Sequence, residues 1–110
     1  MAKGYWMSAY REILDPEKLA AYAAIAGEAV RENGGHFLAR GGQMEPKEHA
    51  VAERTVLVEF ESYERALSTY ASPTYQKALE ALDGGVIRDF RIVEGVEKPF
   101  KSLGVDLLSE

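Results

Sequence analysis

The chain of 110 residues contains no cysteine. That absence excludes a disulfide framework, a thiolate nucleophile and any thiolate-ligated zinc or iron–sulfur site. Basic charge is also in short supply: 13 Lys and Arg stand against 18 Asp and Glu, for a formal charge of −5 and a pI near 5.1. Nucleic acid and anionic membranes both select a basic face, so neither is expected as a partner. Histidine occurs only twice, at His36 and His49. The pair shows no metal-ligand spacing and no His-Glu-Xaa-Xaa-His, so no metal is expected. No Gly-Xaa-Ser-Xaa-Gly, dinucleotide or phosphate-loop pattern occurs, which argues against a serine nucleophile and against any phosphate-bearing cofactor; none is expected. No apolar run approaches the roughly 20 residues of a membrane span. Met1–Met7 lacks the apolar core and cleavage site of a signal peptide, so the expected location is cytoplasmic.

What is present is an ordinary globular composition, 46% hydrophobic and 28% charged. Its length suits one domain, expected over residues 1–95 with an irregular arm at 96–110. Residues 4–12 are rich in aromatic and apolar side chains and predict a strand. Asp15-Pro16-Glu17 then opens a helix, with a cap, a proline at the first helical position and an acid at the positive end of the dipole. Leu19, Tyr22, Ala23, Ala26, Ala29 and Val30 form its apolar stripe, and Asn33-Gly34-Gly35 stops it. His36–Gly41 predicts a second strand, Gln43–Ala50 a loop, and Glu53–Phe60 a third strand. Ser62 caps a short helix through Tyr70, Ser72-Pro73 starts another through Leu82, and Val86–Val93 is the last strand.

The order is β-α-β-β-α-β. This is the α+β ferredoxin-like pattern, a four-stranded antiparallel sheet with the helices on one face. The other face still carries side chains such as Leu57, and a second copy packed sheet to sheet would cover it, so a homodimer is expected.

Four stretches are shared with a known family: Lys3-Gly4-Tyr5-Trp6; Gly35-His36-Phe37-Leu38-Ala39-Arg40-Gly41-Gly42; Val58-Glu59-Phe60 followed by Ser62; and Tyr70-Ala71-Ser72-Pro73-Thr74-Tyr75-Gln76. Over residues 3–95 the chain resembles domain-of-unknown-function family 1330, in the superfamily of dimeric α/β barrels. The resemblance implies a ferredoxin-like protomer, a homodimer whose sheets form a barrel, and a cleft between sheet and helices. It implies no reaction, because related proteins perform different chemistry on this fold.

Candidate site residues follow from the strand alternation. His36, Leu38 and Arg40 share one face of their strand, and Thr55, Leu57 and Glu59 share one face of the next. The apolar Val56 face is expected to meet the helices, leaving Glu59, and Arg40 if it points the same way, on the barrel side. There the two would form an ion pair that orients the dimer, or an anion clamp with Glu59 as a base. His36 is either a strand-end surface residue or a general acid/base. Trp6, Tyr22 and Tyr75 are core aromatics or the lining of a ligand cleft. Trp6, Tyr22 and Tyr75 filling the space together would favour a purely structural dimer. An open cavity reached by Arg40 would favour binding of a small carboxylate or aromatic metabolite, either without catalysis or in a cofactor-free isomerase- or monooxygenase-like enzyme.

Overall fold

Local signals place the elements much as the chain order suggests. In the computed structural model, which describes residues 2–97, Asp15 accepts hydrogen bonds from the backbone N–H of Glu17 and Lys18 at 3.0 and 3.2 Å. These satisfy two of the orphan donors that begin α1 (Pro16–Glu32). The helix ends where Gly34 adopts φ +73°. Gly35 N–H then reaches Val30 O at 2.9 Å and Gly34 N–H reaches Arg31 O at 3.1 Å, the paired bonds of a Schellman stop. Ser62 caps α2 (Tyr63–Tyr70) through Arg65 N–H, and Ser72 caps α3 (Pro73–Leu82) through Tyr75 N–H.

Four strands form one sheet: β1 (Gly4–Ile13), β2 (His36–Arg40), β3 (Thr55–Phe60) and β4 (Val86–Glu94). Their order is β2-β3-β1-β4, with every neighbouring pair antiparallel. This is the ferredoxin-like arrangement expected from the chain. Most of the expected arm, residues 98–110, lies outside the described residues.

The core lies between the helices and one face of the sheet. Trp6, Val58 and Phe60 from the strands meet Tyr22, Ala26, Ala29 and Val30 of α1, Ala66 of α2, and Tyr75, Ala78 and Leu82 of α3. Trp6 is its hub, with ring centroids of Tyr75, Phe60 and Phe90 at 4.8, 5.0 and 5.3 Å. The small alanines on α1 and α3 let the helices approach these large rings without leaving voids. On the opposite face Met7 and Val93 remain 48% and 42% exposed.

One register shift corrects the expected alternation. Phe37 pairs with Val58, but the next partners are Ala39 with Leu57 and Arg40 with Val56. Leu38 is thus the extra residue of a β-bulge, which shifts everything after it by one position. Arg40 therefore joins Phe37, Val56 and Val58 on the helix side of the sheet. Glu59 lies on the other face, where it pairs in register with His36 and Tyr5 and accepts a hydrogen bond from Tyr5 OH at 3.1 Å. The expected meeting of Arg40 with Glu59 does not occur, because the bulge puts the sheet between them.

Candidate functional site

The helix-side face of the sheet reads in rows across the strands. Phe37, Val58, Trp6 and Ile92 form one row, and Arg40, Val56, Ser8 and Phe90 the next. Tyr10 and Arg88 form a third; Tyr10 N–H bonds to Arg54 O at 2.9 Å, which extends that row to Arg54. The first row is apolar. The other two bring three arginines, a serine and a tyrosine to one end of the sheet, beneath the first half of α1.

A cleft opens there between sheet and helix, bounded by Ser8, Tyr10, Tyr22, Arg40, Arg54 and Arg88, with Trp6, Leu19, Ala23, Val56 and Phe90 among its apolar walls. About 30 Å³ of it is open to the centres of water-sized groups, where a single water needs roughly 10–15 Å³. The cleft is narrow, apolar along its sides and polar at its floor and mouth.

Arg88 makes the floor. It is half-buried, and its Nη1 donates to Tyr22 OH at 3.1 Å, Tyr10 OH at 3.2 Å and Ser8 Oγ at 3.4 Å; Nη2 donates to Tyr75 OH at 3.3 Å. The guanidinium also lies 4.8 Å from the Tyr22 ring centre and 4.9 Å from that of Phe90, within cation–π range. Tyr22 OH and Tyr75 OH share a hydrogen bond of 2.6 Å. Burial pushes both hydroxyls above the ordinary tyrosine value, and the Arg88 charge only partly opposes it. For Arg88 itself, burial favours loss of the proton, but Tyr22 and Tyr75 beside it outweigh that, and the net shift is upward. At neutral pH Arg88 is thus a fixed cation, with the protonated hydroxyls of Tyr22 and Tyr75 beside it.

The donor count is out of balance. Tyr22 and Tyr75 both accept from Arg88, and one of their two protons closes the bond between them. The other, with the protons of Tyr10 and Ser8, finds no acceptor among the described residues. At the mouth, Arg40 packs its guanidinium 4.0 Å from the Phe37 ring centre and makes one long bond, 3.4 Å, to Ala23 O. Arg54 Nε is buried without a hydrogen-bond partner. No carboxylate of the described residues lies within ion-pairing distance of Arg40, Arg54 or Arg88. Buried donors normally find partners; here acceptors are what the site lacks.

The sequence-derived candidates divide accordingly. Arg40, Trp6 and Tyr22 line the cleft. Trp6 also donates from Nε1 to Ala66 O at 2.9 Å, and Tyr75 stands behind Tyr22 as a fully buried support. Trp6, Tyr22 and Tyr75 do pack together, at 4.8 Å between Trp6 and Tyr75 and 5.9 Å between Tyr22 and Tyr75, yet the cleft beside them stays open and Arg40 reaches it. His36 and Glu59 lie on the opposite face and are not brought to it. Sequence reasoning missed Arg88, Arg54, Ser8 and Tyr10. A usable signal existed: Arg88 is in phase with Val86, Phe90 and Ile92, and Arg54 with Val56, Val58 and Phe60. A charge on an inward-facing position of an apolar strand marks a polar element built into the core.

Among the described residues, no group of His, Asp and Glu has the clustering that holds a metal ion, and no helix is long and apolar enough to cross a membrane. The family model for a domain of unknown function, DUF1330, matches residues 3–96. No match is found among curated proteins. Solved structures with this fold include a protein of unknown function from Rhodopseudomonas palustris, 16% identical over 89% of this chain and 85% of that one, with a TM-score of 0.65. SnoaB, a cofactor-independent oxygenase from Streptomyces nogalater, is 10% identical over 92% and 99% of the two chains, with a TM-score of 0.59. A candidate antibiotic biosynthesis monooxygenase from Caulobacter crescentus is 15% identical over 87% and 91%, at a TM-score of 0.53. At these identities the likeness is one of fold, the four-stranded ferredoxin-like sheet with its helices on one face.

Proposed function

The chain belongs to the DUF1330 family, and on that premise we propose that its cleft binds a small carboxylate or aromatic metabolite through the Arg88 floor. The observation that carries this reading is the surplus of donors. A guanidinium whose neighbours are hydroxyls, with further guanidinium groups at the mouth and no facing carboxylate, lacks only an oxygen-rich ligand. Such a ligand would accept from Arg88 and from the free hydroxyl protons, with its body against Trp6, Tyr22 and Val56 and its outer end within reach of Arg40.

Catalysis on this site would be free of a cofactor and would rest on stabilising an enolate or phenolate oxygen. Donors fixed in advance, in a cleft with little water, favour negative charge as it develops. Burial holds the Tyr22 and Tyr75 hydroxyls protonated, so Tyr22, backed by Tyr75, acts as a hydrogen-bond donor toward the developing oxyanion and neither serves as a general acid or base. His36 and Glu59, first considered for proton transfer, lie on the opposite face of the sheet, and this reading assigns the site stabilisation of an oxyanion and no proton-transfer residue. That a cofactor-independent oxygenase shares the fold is consistent with this reading.

The protomer is further proposed to pair with a second copy through the open sheet face bearing Met7, Leu57 and Val93, as the fold's usual assembly. Light scattering on the eluted protein is expected to give twice 12.2 kDa; a monomer mass at micromolar concentration overturns the dimer and leaves the cleft untouched.

The binding reading is tested by thermal shift against benzoate, salicylate, malonate and p-cresol, on wild type, Arg88→Met and Arg40→Ala in parallel. A probe at about 100 times its Kd stabilises by roughly 2.7 kcal/mol, which is several degrees in a domain of this size. The expected pattern is stabilisation of the wild type, loss in Arg88→Met and, for malonate, reduction in Arg40→Ala. Equal stabilisation of all three, or of none at 10 mM probe, removes the proposal.

A further inference from the structure

Taking the cleft as a binding site, an inference that rests on the preceding reading, we infer that its ligand carries two oxyanionic groups separated by a short apolar body. Three cations serve this cleft, and they are divided between two ends. Arg88 is deep, on β4, among hydroxyls. Arg54 enters from the start of β3 and Arg40 from the end of β2. Because β1 lies between β3 and β4, the Arg54 and Arg88 backbones are about two strand spacings apart, roughly 10 Å. Between them on β1 stands Tyr10, whose ring fills that position and whose hydroxyl accepts from Arg88, and the cleft beside it is walled by apolar Leu19, Ala23 and Val56. One carboxylate held by Arg88 leaves the outer pair without a counter-charge, and one held by the outer pair leaves the floor's donors unmet.

The outer cations sit close to glycines at the end of β2 and in α1. Gly41 adopts φ +72°, and a Cβ there would run into the Arg54 guanidinium. The residue type that ends β2 is thus also the one against which the Arg54 guanidinium packs. On the helix above, Gly27 brings only a hydrogen where a Cβ would lie 3.4 Å from Arg40 Nη2. The Arg54 guanidinium thus occupies space that Gly41 leaves, while a Cβ at Gly27 would only touch Arg40. The two ends also differ in chemistry. The Arg88 end offers one cation and several hydroxyl donors, suited to a carbonyl, enolate or phenolate oxygen or to a carboxylate. The Arg40–Arg54 end offers two planar forks, which suit a carboxylate through paired N–H···O contacts. The ligand class is a keto or hydroxy carboxylic acid, or a dicarboxylic acid, with a flat or short apolar middle that fits the narrow slot.

The test is calorimetric titration of the intact protein with malonate, succinate, glutarate, adipate and terephthalate, each beside its monomethyl ester. Two-point binding is expected to give an affinity maximum at one length, with that diacid at least about tenfold tighter than its ester. Arg54→Gln and Arg40→Gln are expected to abolish the preference while the ester's binding stays; Arg54→Lys, which keeps charge but not the fork, restores part of it. Arg88→Met is expected to weaken diacid and ester alike. Esters binding as tightly as diacids, still dependent on Arg88 but indifferent to Arg54 and Arg40, would overturn the two-point inference and leave the binding site standing. Absence of binding by every diacid and ester to folded wild type would overturn both.

Discussion

Replacing Arg88 by methionine separates a residue kept for the fold from one kept for a ligand. The change keeps most of the side chain's length and removes the fork, together with its cation–π contact with Phe90. Four contacts go with it, to Ser8, Tyr10, Tyr22 and Tyr75, at 3.1–3.4 Å. At about 1 kcal/mol net for each hydrogen bond, the gross loss is about 4 kcal/mol. Against it stands the cost of holding a guanidinium partly out of water with no anion beside it, which reaches several kcal/mol for full burial and is smaller for this half-buried group. The two largely offset. The expected net destabilisation of the ligand-free protein is about 1–2 kcal/mol, small beside the 5–15 kcal/mol of a typical domain. Urea unfolding followed by tryptophan fluorescence reads it as a shift of the midpoint at unchanged slope. The same titration with malonate is expected to raise the wild-type midpoint and leave that of Arg88→Met where it was. A loss above about 4 kcal/mol, with the malonate effect intact, would refute the reasoning and make Arg88 a structural residue.

Three more expectations concern the fold around the site. Gly35→Ala would bring a Cβ to 2.7 Å from the Phe60 ring and 2.8 Å from Val30 Cγ1; overpacking of this kind is expected to cost about 1–3 kcal/mol in chemical denaturation, and a neutral result would contradict the tight packing assigned there. Gly27→Ala lies inside α1, where a Cβ meets only the guanidinium tips of Arg40 and Arg31 at 3.4 and 3.6 Å; it is expected to raise stability by up to about 1 kcal/mol while weakening any ligand held by Arg40, and a stability loss above 1 kcal/mol would contradict this. The pH dependence follows from Tyr22 and Tyr75. Their folded-state pKa values lie above the unfolded value of 10.0, so their contribution is complete below pH 10 and falls as pH rises beyond it, because the unfolded chain loses those protons first. Absorbance at 295 nm is expected to show at least two of the six tyrosines titrating only with unfolding, and the double variant Tyr22→Phe/Tyr75→Phe is expected to flatten the decline; free titration of all six in the folded protein would contradict it.

The chain order, the helix caps and the strand positions were legible because each rests on local chemistry. Asp15 with Pro16, Ser62, Ser72 with Pro73, and Asn33-Gly34-Gly35 act within a few residues of where they stand. The site was less legible because it depends on register. Period-two alternation assigns Arg40 to the face of His36 and Glu59; one extra residue, Leu38, reverses that. The bulge is a property of the β2–β3 pairing, and no residue of β2 alone announces it. Arg88 and Arg54 were visible only as charges interrupting apolar alternation, Val86-Arg88-Phe90-Ile92 and Arg54-Val56-Val58-Phe60. Their significance appears when β1 is set between them, bringing Ser8, Tyr10 and, from α1 and α3, Tyr22 and Tyr75 around one guanidinium. The aromatics Trp6, Tyr22 and Tyr75 were identified by type, while their division into wall and support needed the packing of the helices on the sheet.

The central claim is that the cleft above Arg88 receives an oxyanion. Protein-observed NMR of the labelled chain, titrated with malonate and with terephthalate, tests it most directly through the guanidinium and aromatic resonances. The expected result is saturable shifts in the Arg88, Arg54 and Arg40 Nε–H signals and in the rings of Tyr10 and Tyr22, with Tyr5 and His36 on the opposite face unmoved. Shifts confined to that opposite face, or no saturable shift in any of the three arginines, would contradict it.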